Sequence, residues 1–265
     1  MSNCNEKPLV SIITVVFNGV NTIERTIKSV LSQSYTNIEY IIIDGGSNDG
    51  TTDVIATYKK HLSKYISEKD DGITYAMNKG ICHATGDIIG LINADDWLEE
   101  DAIKEVVKFY IENPVAVLYG DMRVHINSKN YYIEKVPSVL NLKKGMVLNH
   151  PSVFVPASLY EKHGTFNVKY KIVFDWELVL RFKLSGVKFV KIDEILSNFS
   201  VGGVSTLRAK QLIEEMHQIR KENSLYKIID KYYVINRFRS IFFGSHIIKI
   251  SQKIRLLKYR LNHKR

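Results

Sequence analysis

Two adjacent carboxylates stand where an apolar run of the chain ends. The stretch "DIIGLI" (87–92) leads into "NADDWLEED" (93–101), so Asp95 and Asp96 directly follow a predicted buried strand. Neighbouring anions at such a place repel each other and lose solvation, so they require a cation or open solvent. Carboxylates hold Mg²⁺ or Mn²⁺, which can in turn bind a diphosphate. The pair therefore indicates a metal site; the alternative is helix N-capping ahead of the following residues.

In the first hundred residues, strand-like and helix-like hydrophobic patterns alternate, and they predict the elements that position this pair. Strand-like runs are "LVSIITVVF", "IEYIIID", "YISEKD" and "DIIGLIN", and helical segments between them are "NTIERTIKSVLSQS", "TTDVIATYKKH" and "ITYAMNKGICHA". This βαβ alternation predicts an α/β fold with a mainly parallel, doubly wound sheet. Ligands of such sheets bind beyond the carboxyl ends of the strands, where Asp44, residues 69–72 and the acidic pair all fall.

The second half of the chain predicts further strands and helices without a domain break before about residue 206. "DAIKEVVKFYIEN" predicts a helix, and the next apolar residues predict strands with a turn near 128–130. A strand and a short helix ending at Gly164 follow, and then a helix that stops at Gly186. With no internal repeat or long linker, this body is expected to be one two-part domain.

Several classes of protein are disfavoured by what the sequence lacks. It has neither G-x-G-x-x-G nor G-x-x-x-x-G-K-[ST], which argues against a Rossmann dehydrogenase and a phosphate-loop enzyme. Two cysteines, Cys4 and Cys82, form no disulfide framework or zinc motif. "MSNCNEKP" lacks the features of a signal peptide, and no 18-residue apolar run is present, so the chain is expected to be cytoplasmic.

Positive charge is concentrated at the end of the chain. Residues 220–265 hold 13 Lys and Arg but two acids, a local charge of +11 against +9 for all 265 residues. Apolar residues recur there every three to five positions, which predicts a basic amphipathic helical tail over 207–265. Such a tail suits the anionic inner face of the cytoplasmic membrane. Packing against the body, a dimer contact and nucleic-acid binding are alternatives, the last disfavoured because no recognised motif accompanies the charge.

Four segments in fixed order carry a family resemblance: "VSIITVVFN", "IIIDGGSNDGT", "SEKDDGITYAMNKGICHATGDIIGLINADDW" and "FDWELVLRF". From about residue 8 to 206 the chain resembles the family 2 glycosyltransferases, inverting enzymes that use nucleotide-sugar donors in bacterial polysaccharide assembly. The resemblance implies a GT-A type, Rossmann-like mixed sheet flanked by helices in residues 1–206. Its nucleotide-binding half would span about 8–97 and its acceptor half about 98–206.

The resemblance also implies roles for residues of the first half. Asp44 would contact the nucleotide base, Phe17 the nucleotide sugar, and Asp95 the ribose or metal, with Asp96 as the direct metal ligand. Lys79 would contact the diphosphate. For Asp44 the alternative is a turn-stabilising Asx residue, and for Lys79 a solvated helix lysine.

The base for the chemistry is expected in the second half. Inversion requires a carboxylate that takes the proton of the attacking sugar hydroxyl, and the resemblance assigns this role to Asp175. A helix N-cap is the alternative for Asp175. Glu177 is the fallback base, but helical geometry turns it about 200° away from Asp175.

Two further residues are candidates for the acceptor site, His150 in "LNHPSVFV" and Trp176. Structural roles are the alternatives for both, a satisfied histidine and core packing of the helix. The segment "VGGVST" (201–206) resembles a family loop that closes near the donor, although its glycines also fit an ordinary turn.

The chain departs from the family pattern at three places. Asn93 stands where some relatives have a third acid, Tyr75 where similar sequences commonly have Asp, and Phe174 where the family has Glu before Asp175. The resulting hypothesis is an inverting glycosyltransferase that uses Mn²⁺ or Mg²⁺. It would move a sugar from a nucleotide diphosphate, UDP above all, to a glycan or polyprenyl-linked acceptor. A catalytically silent nucleotide-sugar-binding protein of the same fold is the alternative, and a nucleotidyltransferase is disfavoured because the N-terminal region supplies no triphosphate loop.

Overall fold

The fold is taken from a computed structural model. It describes residues 7–127, 130–136, 139–200 and 209–225. The predicted loop at 201–206 and residues 226–265 of the basic tail lie outside these ranges.

The first half forms the parallel sheet that the sequence predicts. Its strands are β1 (Val10–Val16), β2 (Ile38–Asp44), β3 (Lys64–Ser67) and β4 (Ile88–Asn93). Its helices are α1 (Ile23–Leu31), α2 (Thr51–Thr57) and α3 (Ile73–His83), with a 3₁₀ turn at Lys59–His61. The strands pair in the order β3-β2-β1-β4, all parallel, so their carboxyl ends share one edge of the sheet.

The second half extends the same sheet with mixed directions. Its strands are β5 (Trp97–Leu98), β6 (Ala116–Asn127), β7 (Asn130–Glu134), β8 (Val153–Pro156) and β9 (Lys188–Ser200). Its helices are α4 (Ala102–Glu112), α5 (Ala157–His163), α6 (Phe174–Leu184) and α7 (Ala209–Glu222), with 3₁₀ helices at Val139–Lys144 and His150–Ser152. The order continues β4-β8-β6-β9-β5, and β7 pairs with β6. Strands β5 and β9 were not predicted from the sequence.

Both faces of the central sheet are covered, which explains the unbroken apolar runs in the sequence. Ile12 and Ile13 are consecutive on β1, point to opposite faces and are both fully buried. Helices α1 and α4 cover the face of Ile12, and α3, α5 and α6 cover the face of Ile13.

The first helix of the predicted tail packs against the body. On α7, Ile219 is fully buried, and Leu212 and Met216 pack against the same core as α3 and α6. This is the packing alternative for the part of the tail that the structure describes. No helix among the described residues is long and apolar enough to cross a membrane.

Candidate active site

Strand register brings the predicted donor-site residues to one edge of the sheet. Val16 of β1 pairs with Asp44 of β2, and Val15 pairs with Asn93 of β4. The Phe17 side chain follows at the end of β1 and is 67% exposed. An exposed aromatic ring at this edge is available for stacking on a base, and its contact with the donor stays a prediction.

The two loops that follow β1 and β2 are joined by hydrogen bonds. The Asn18 N–H donates to Ser47 Oγ (2.7 Å), and the Asn48 N–H donates to Asn18 Oδ1 (3.0 Å). Asn18 has a φ of 52°, a left-handed conformation that asparagine tolerates well. These bonds fix the loop that presents Phe17.

Asp44 is fully buried, and its carboxylate is occupied by its own loop. Ser47 Oγ (2.5 Å) and Ser67 Oγ (2.6 Å) donate to it, as does the Ser47 N–H (3.1 Å). The turn-stabilising role expected as the alternative is therefore present. A contact of Asp44 with the nucleotide base stays a prediction.

The acidic pair lies in a tight turn whose backbone is hydrogen-bonded to α1. The Asp96 N–H donates to the Asn93 carbonyl (3.1 Å), which closes the turn. Thr26 Oγ1 donates to the carbonyl oxygens of Ala94 (3.0 Å) and Asp96 (2.6 Å). Thr26 is a fully buried polar residue on the apolar face of α1, and that mismatch is the sequence signal for this role.

Arg25 supplies a cation beside the acidic pair, which the sequence analysis did not identify. Its guanidinium lies 3.6 Å from the centre of the Trp97 ring and donates to the Asp95 carbonyl oxygen (2.9 Å) and to Ser200 Oγ (3.1 Å). Stacking on an aromatic ring and forked donation are properties of arginine in particular. Part of the charge compensation for the pair is therefore built into α1.

Burial dominates the electrostatics of the acidic pair. It raises the pKa of Asp95, and together with the charge of Asp95 it raises the pKa of Asp96 well above the usual value. Asn93, the backbone N–H of Ser200 and Arg25 lower the pKa of Asp96, but by less. The Asp96 carboxylate is therefore costly to keep charged without a further cation.

The oxygen atoms of the turn fit a divalent cation. Asp96 Oδ1 and Asn93 Oδ1 are buried and have no hydrogen-bond partner among the described residues. Buried polar atoms normally have partners, and carboxylate and amide oxygens are ligands that Mg²⁺ and Mn²⁺ accept. Among the described residues no group of three or more His, Cys, Asp and Glu side chains could hold a metal ion by itself. Oxygen atoms of the nucleotide-sugar or of water would therefore complete the coordination.

Neither member of the acidic pair caps a helix, so that alternative is wrong. The residues after Asp96 form β5, in which Trp97 pairs with Asn198 of β9. Helix α4 begins only at Ala102, with Asp101 at the N-cap position.

Asp175 is the second residue of α6 and has an environment suited to a base. The N-cap position belongs to Val173, so the N-cap alternative for Asp175 is wrong. Burial raises the pKa of Asp175 to about 6, although the Trp176 N–H donates to Asp175 Oδ1 (2.7 Å) and lowers it. The fallback base, Glu177, is instead bound by Arg181 through two contacts, at 3.0 and 2.9 Å.

The two candidate acceptor residues differ in what the structure allows. Trp176 is fully buried, and its indole N–H donates to the Leu142 carbonyl (2.6 Å), so the predicted stacking on an acceptor sugar is wrong and core packing is its role. His150 lies beside Phe166 and Phe174, with a buried Nε2 that has no partner in the described structure. Burial lowers the pKa of His150 to about 4, so the ring is neutral.

Helix α3 connects the two halves of the domain. Asn78 donates to the Phe166 carbonyl (2.8 Å) and accepts from the Phe166 N–H (2.9 Å). At Gly80 a Cβ atom would lie 2.4 Å from Ile13 Cγ2, so only glycine lets α3 lie this close to β1. Lys79 donates to Glu68 (2.6 Å) and is therefore an ion-paired residue rather than a solvated one. Its contact with a diphosphate stays a prediction.

Comparison with known proteins agrees with this architecture. The family model described as "Glycosyl transferase family 2" matches residues 11–174. An uncharacterized glycosyltransferase of Mycobacterium tuberculosis is 32% identical over 206 residues, which cover 76% of this chain and 78% of the relative.

Solved structures share the fold at low sequence identity. TarS of S. aureus superposes with a TM-score of 0.67 at 15% identity, covering 89% of this chain and 44% of the TarS chain. Its 1–349 portion has also been solved with UDP. The mannosyltransferase PcManGT of Pyrobaculum calidifontis, solved with GDP-Man and Mn²⁺, gives a TM-score of 0.65 at 16% identity, covering 91% of this chain and 73% of that chain. The fold is therefore of the GT-A type, and the chain belongs to glycosyl transferase family 2.

Proposed function

We propose that this glycosyltransferase is an inverting, metal-dependent enzyme that takes its sugar from a nucleoside diphosphate donor, specifically a UDP-sugar. The observation that carries the proposal is Asp96 Oδ1 at the carboxyl edge of the sheet, which is buried and has no hydrogen-bond partner within the described part of the chain. UDP bound to TarS supports the choice of donor by analogy, and Mn²⁺ bound to PcManGT, whose structure holds GDP-Man, supports the choice of cation. Asp96, with Asp95 and Asn93, would hold Mn²⁺ or Mg²⁺, which when bound offsets charge on the departing diphosphate.

In the proposed reaction Asp175 is the general base. An acceptor hydroxyl would lie within hydrogen-bond reach of the Asp175 carboxylate and attack the anomeric carbon opposite the diphosphate. The new glycosidic C–O bond forms as the bond to the diphosphate oxygen breaks, and the hydroxyl proton passes to Asp175. A pKa of about 6 suits this role, because the carboxylate is charged at neutral pH and still basic enough to accept a proton.

The proposed acceptor is a glycan or a polyprenyl-linked saccharide at the inner face of the cytoplasmic membrane. The support is the sequence of the basic tail, in which residues 220–265 carry a local charge of +11. Attraction of Lys and Arg to anionic lipid would hold the protein peripherally. Co-sedimentation of the full chain with anionic phospholipid vesicles, reversed by high salt, tests this location.

A silent nucleotide-sugar-binding protein is the second candidate, and the observation that favours it is Phe174. This residue takes the place of the family's Glu and is buried against Phe166 and His150, so it supplies no acid next to Asp175. Such a protein would bind the donor but would not turn it over.

Release of nucleoside diphosphate from a donor panel tests the proposed function. UDP-, GDP- and dTDP-sugars would each be incubated with Mn²⁺ or EDTA, with and without a membrane-lipid extract as the source of acceptor. We expect turnover of one UDP-sugar that requires both Mn²⁺ and acceptor. Equal turnover in EDTA would contradict metal dependence, and donor binding without turnover under every acceptor condition would favour the silent protein.

The role of Asp175 predicts a defined pH dependence. Because burial raises its pKa to about 6, kcat is expected to fall about tenfold per pH unit below pH 6, as the base becomes protonated, and to be level between pH 7 and 8. The measurement is kcat at saturating donor and acceptor from pH 5 to 8.5. A kcat that stays constant down to pH 5 would contradict a base with a pKa of about 6.

A further inference from the structure

A buried carboxylate on α7 binds the backbone just before the proposed base. Glu215 accepts hydrogen bonds from the N–H groups of Lys171 (3.1 Å), Ile172 (2.9 Å) and Val173 (3.2 Å). Gln211, one turn earlier on α7, donates to Glu215 Oε1 (2.8 Å). One side chain thus holds three consecutive peptide groups.

This arrangement is more than a contact that docks a helix. Glu215 is 8% exposed, and a buried carboxylate loses hydration that only well-placed partners can replace. Consecutive backbone N–H groups form a concave anion site whose geometry depends on the orientation of each peptide. The apolar residues of α7 already dock the helix, so Glu215 adds directional control at residues 171–173.

The controlled segment leads directly into the proposed base. Val173 is the N-cap residue of α6, and Asp175 is the second residue of that helix. Rotation of the 172–173 peptide groups would therefore change the direction in which α6 begins and move the Asp175 carboxylate. A displacement of about 1 Å at a catalytic group can lower the rate about 100-fold.

Other contacts hold the preceding residues without reaching this point. Tyr170 donates from its hydroxyl to Glu222 Oε2 (2.5 Å), and its carbonyl accepts from Thr74 Oγ1 (3.3 Å). Lys169 Nζ donates to Glu222 Oε1 (2.5 Å). Glu222 is thus a second acid of α7 that binds side chains of the same loop, whereas Glu215 binds the backbone next to α6.

We propose that Glu215 is a positioning residue for glycosyl transfer, which orients Asp175 through the backbone of residues 171–173. This inference rests on the proposed function, in which Asp175 is the base. It assigns α7, which lies after the segment matched by the family model, a part in building the active site.

The test compares Glu215→Gln with Glu222→Gln in the full-length protein, using nucleoside diphosphate release with saturating acceptor. Gln keeps the shape of Glu215 but removes its charge and one acceptor oxygen. Either the contact of the Lys171 N–H with Oε1 (3.1 Å) is lost, or the contacts of all three N–H groups with Oε2 are lost, and the remaining bonds go to a neutral acceptor. We expect kcat to fall 10- to 100-fold with the donor KM within twofold, because the donor half is untouched. Glu222→Gln is expected to change both constants by less than twofold.

A milder variant, Gln211→Leu, and the control variant Glu222→Gln make the outcomes distinct. Gln211→Leu removes only the neutral donor to Glu215 and is expected to lower kcat three- to tenfold, which gives a result even if Glu215→Gln does not fold. Unchanged kcat in a folded Glu215→Gln, or in Gln211→Leu if Glu215→Gln does not fold, would overturn the inference. An equal loss in Glu222→Gln would also overturn it, by showing that α7 acts only through general docking.

Asp175→Asn, measured in parallel, separates failure of this inference from failure of the proposed function. If Asp175→Asn is inactive and Glu215→Gln is fully active, only the positioning role is wrong. If Asp175→Asn retains full turnover, the proposed base is wrong and the positioning role falls with it.

Discussion

Asp175→Asn is expected to lower kcat by about 10²- to 10⁴-fold, the usual contribution of a general base, while donor affinity stays unchanged. The same variant is expected to be more stable than wild type at pH 8, on the order of 1–3 kcal/mol. Burial raises the pKa of Asp175 from 3.8 to about 6, so the folded state binds this proton more tightly than the unfolded state. The stability of the wild-type protein therefore falls as pH rises through this window, and asparagine removes that loss.

Turnover and urea unfolding at pH 5 and pH 8 test both parts of this prediction. The stability gain of Asp175→Asn should be larger at pH 8 than at pH 5. The prediction fails if Asp175→Asn keeps wild-type turnover. If Glu177→Gln loses turnover instead, the base is Glu177, and its pairing with Arg181 must break in the active complex.

Asp96→Asn is expected to abolish metal-dependent donor binding, with a loss of at least about 100-fold in kcat/KM in Mn²⁺, since even outer-shell changes at metal sites cost 10- to 100-fold. Asparagine keeps the shape of the turn but removes the charge of a carboxylate whose Oδ1 atom is buried and has no partner among the residues that the structure describes. Titration of Mn²⁺ in the presence of UDP, followed by calorimetry, measures the binding directly and does not depend on turnover.

The matched control for this variant is Glu100→Gln, which removes an exposed carboxylate from the same segment. It should bind Mn²⁺ and UDP as the wild type does. Wild-type Mn²⁺ affinity in Asp96→Asn would show that the buried oxygen atoms serve only the turn.

The parallel half of the sheet could be predicted because its signals are local. Strands β1, β2 and β4 are short apolar runs that are mostly buried, and each helix between them has its own period. Since the carboxyl ends of parallel strands share an edge, the placement of Asp44 and the acidic pair followed from the pattern alone.

The elements that were missed depend on contacts between distant residues. β5 has two residues and exists because Trp97 and Leu98 pair with Asn198 and Ser197, which no local pattern reveals. The pairing of β9 with β6 shifts register near Asp121, so the alternation of apolar residues along β9 is interrupted. The N-cap interpretation of the acidic pair failed for the same reason.

Side-chain roles within buried helices were equally difficult to predict. Six of the eleven residues of α6 are buried, so its sequence has no clear polar and apolar faces from which to place Trp176. Arg25 and Glu215 act on backbone groups far along the chain, at Asp95 and at residues 171–173. Neither role leaves a spacing signal in the sequence.

The configuration of the product at its new glycosidic bond tests the central claim most directly. The donor identified by the panel would be supplied with its acceptor, and the anomeric configuration of the transferred sugar would be read from the product by NMR. Direct displacement assisted by Asp175 predicts inversion, so an α-linked donor gives a β-linked product. Retention of configuration would contradict a single displacement and with it the role assigned to Asp175.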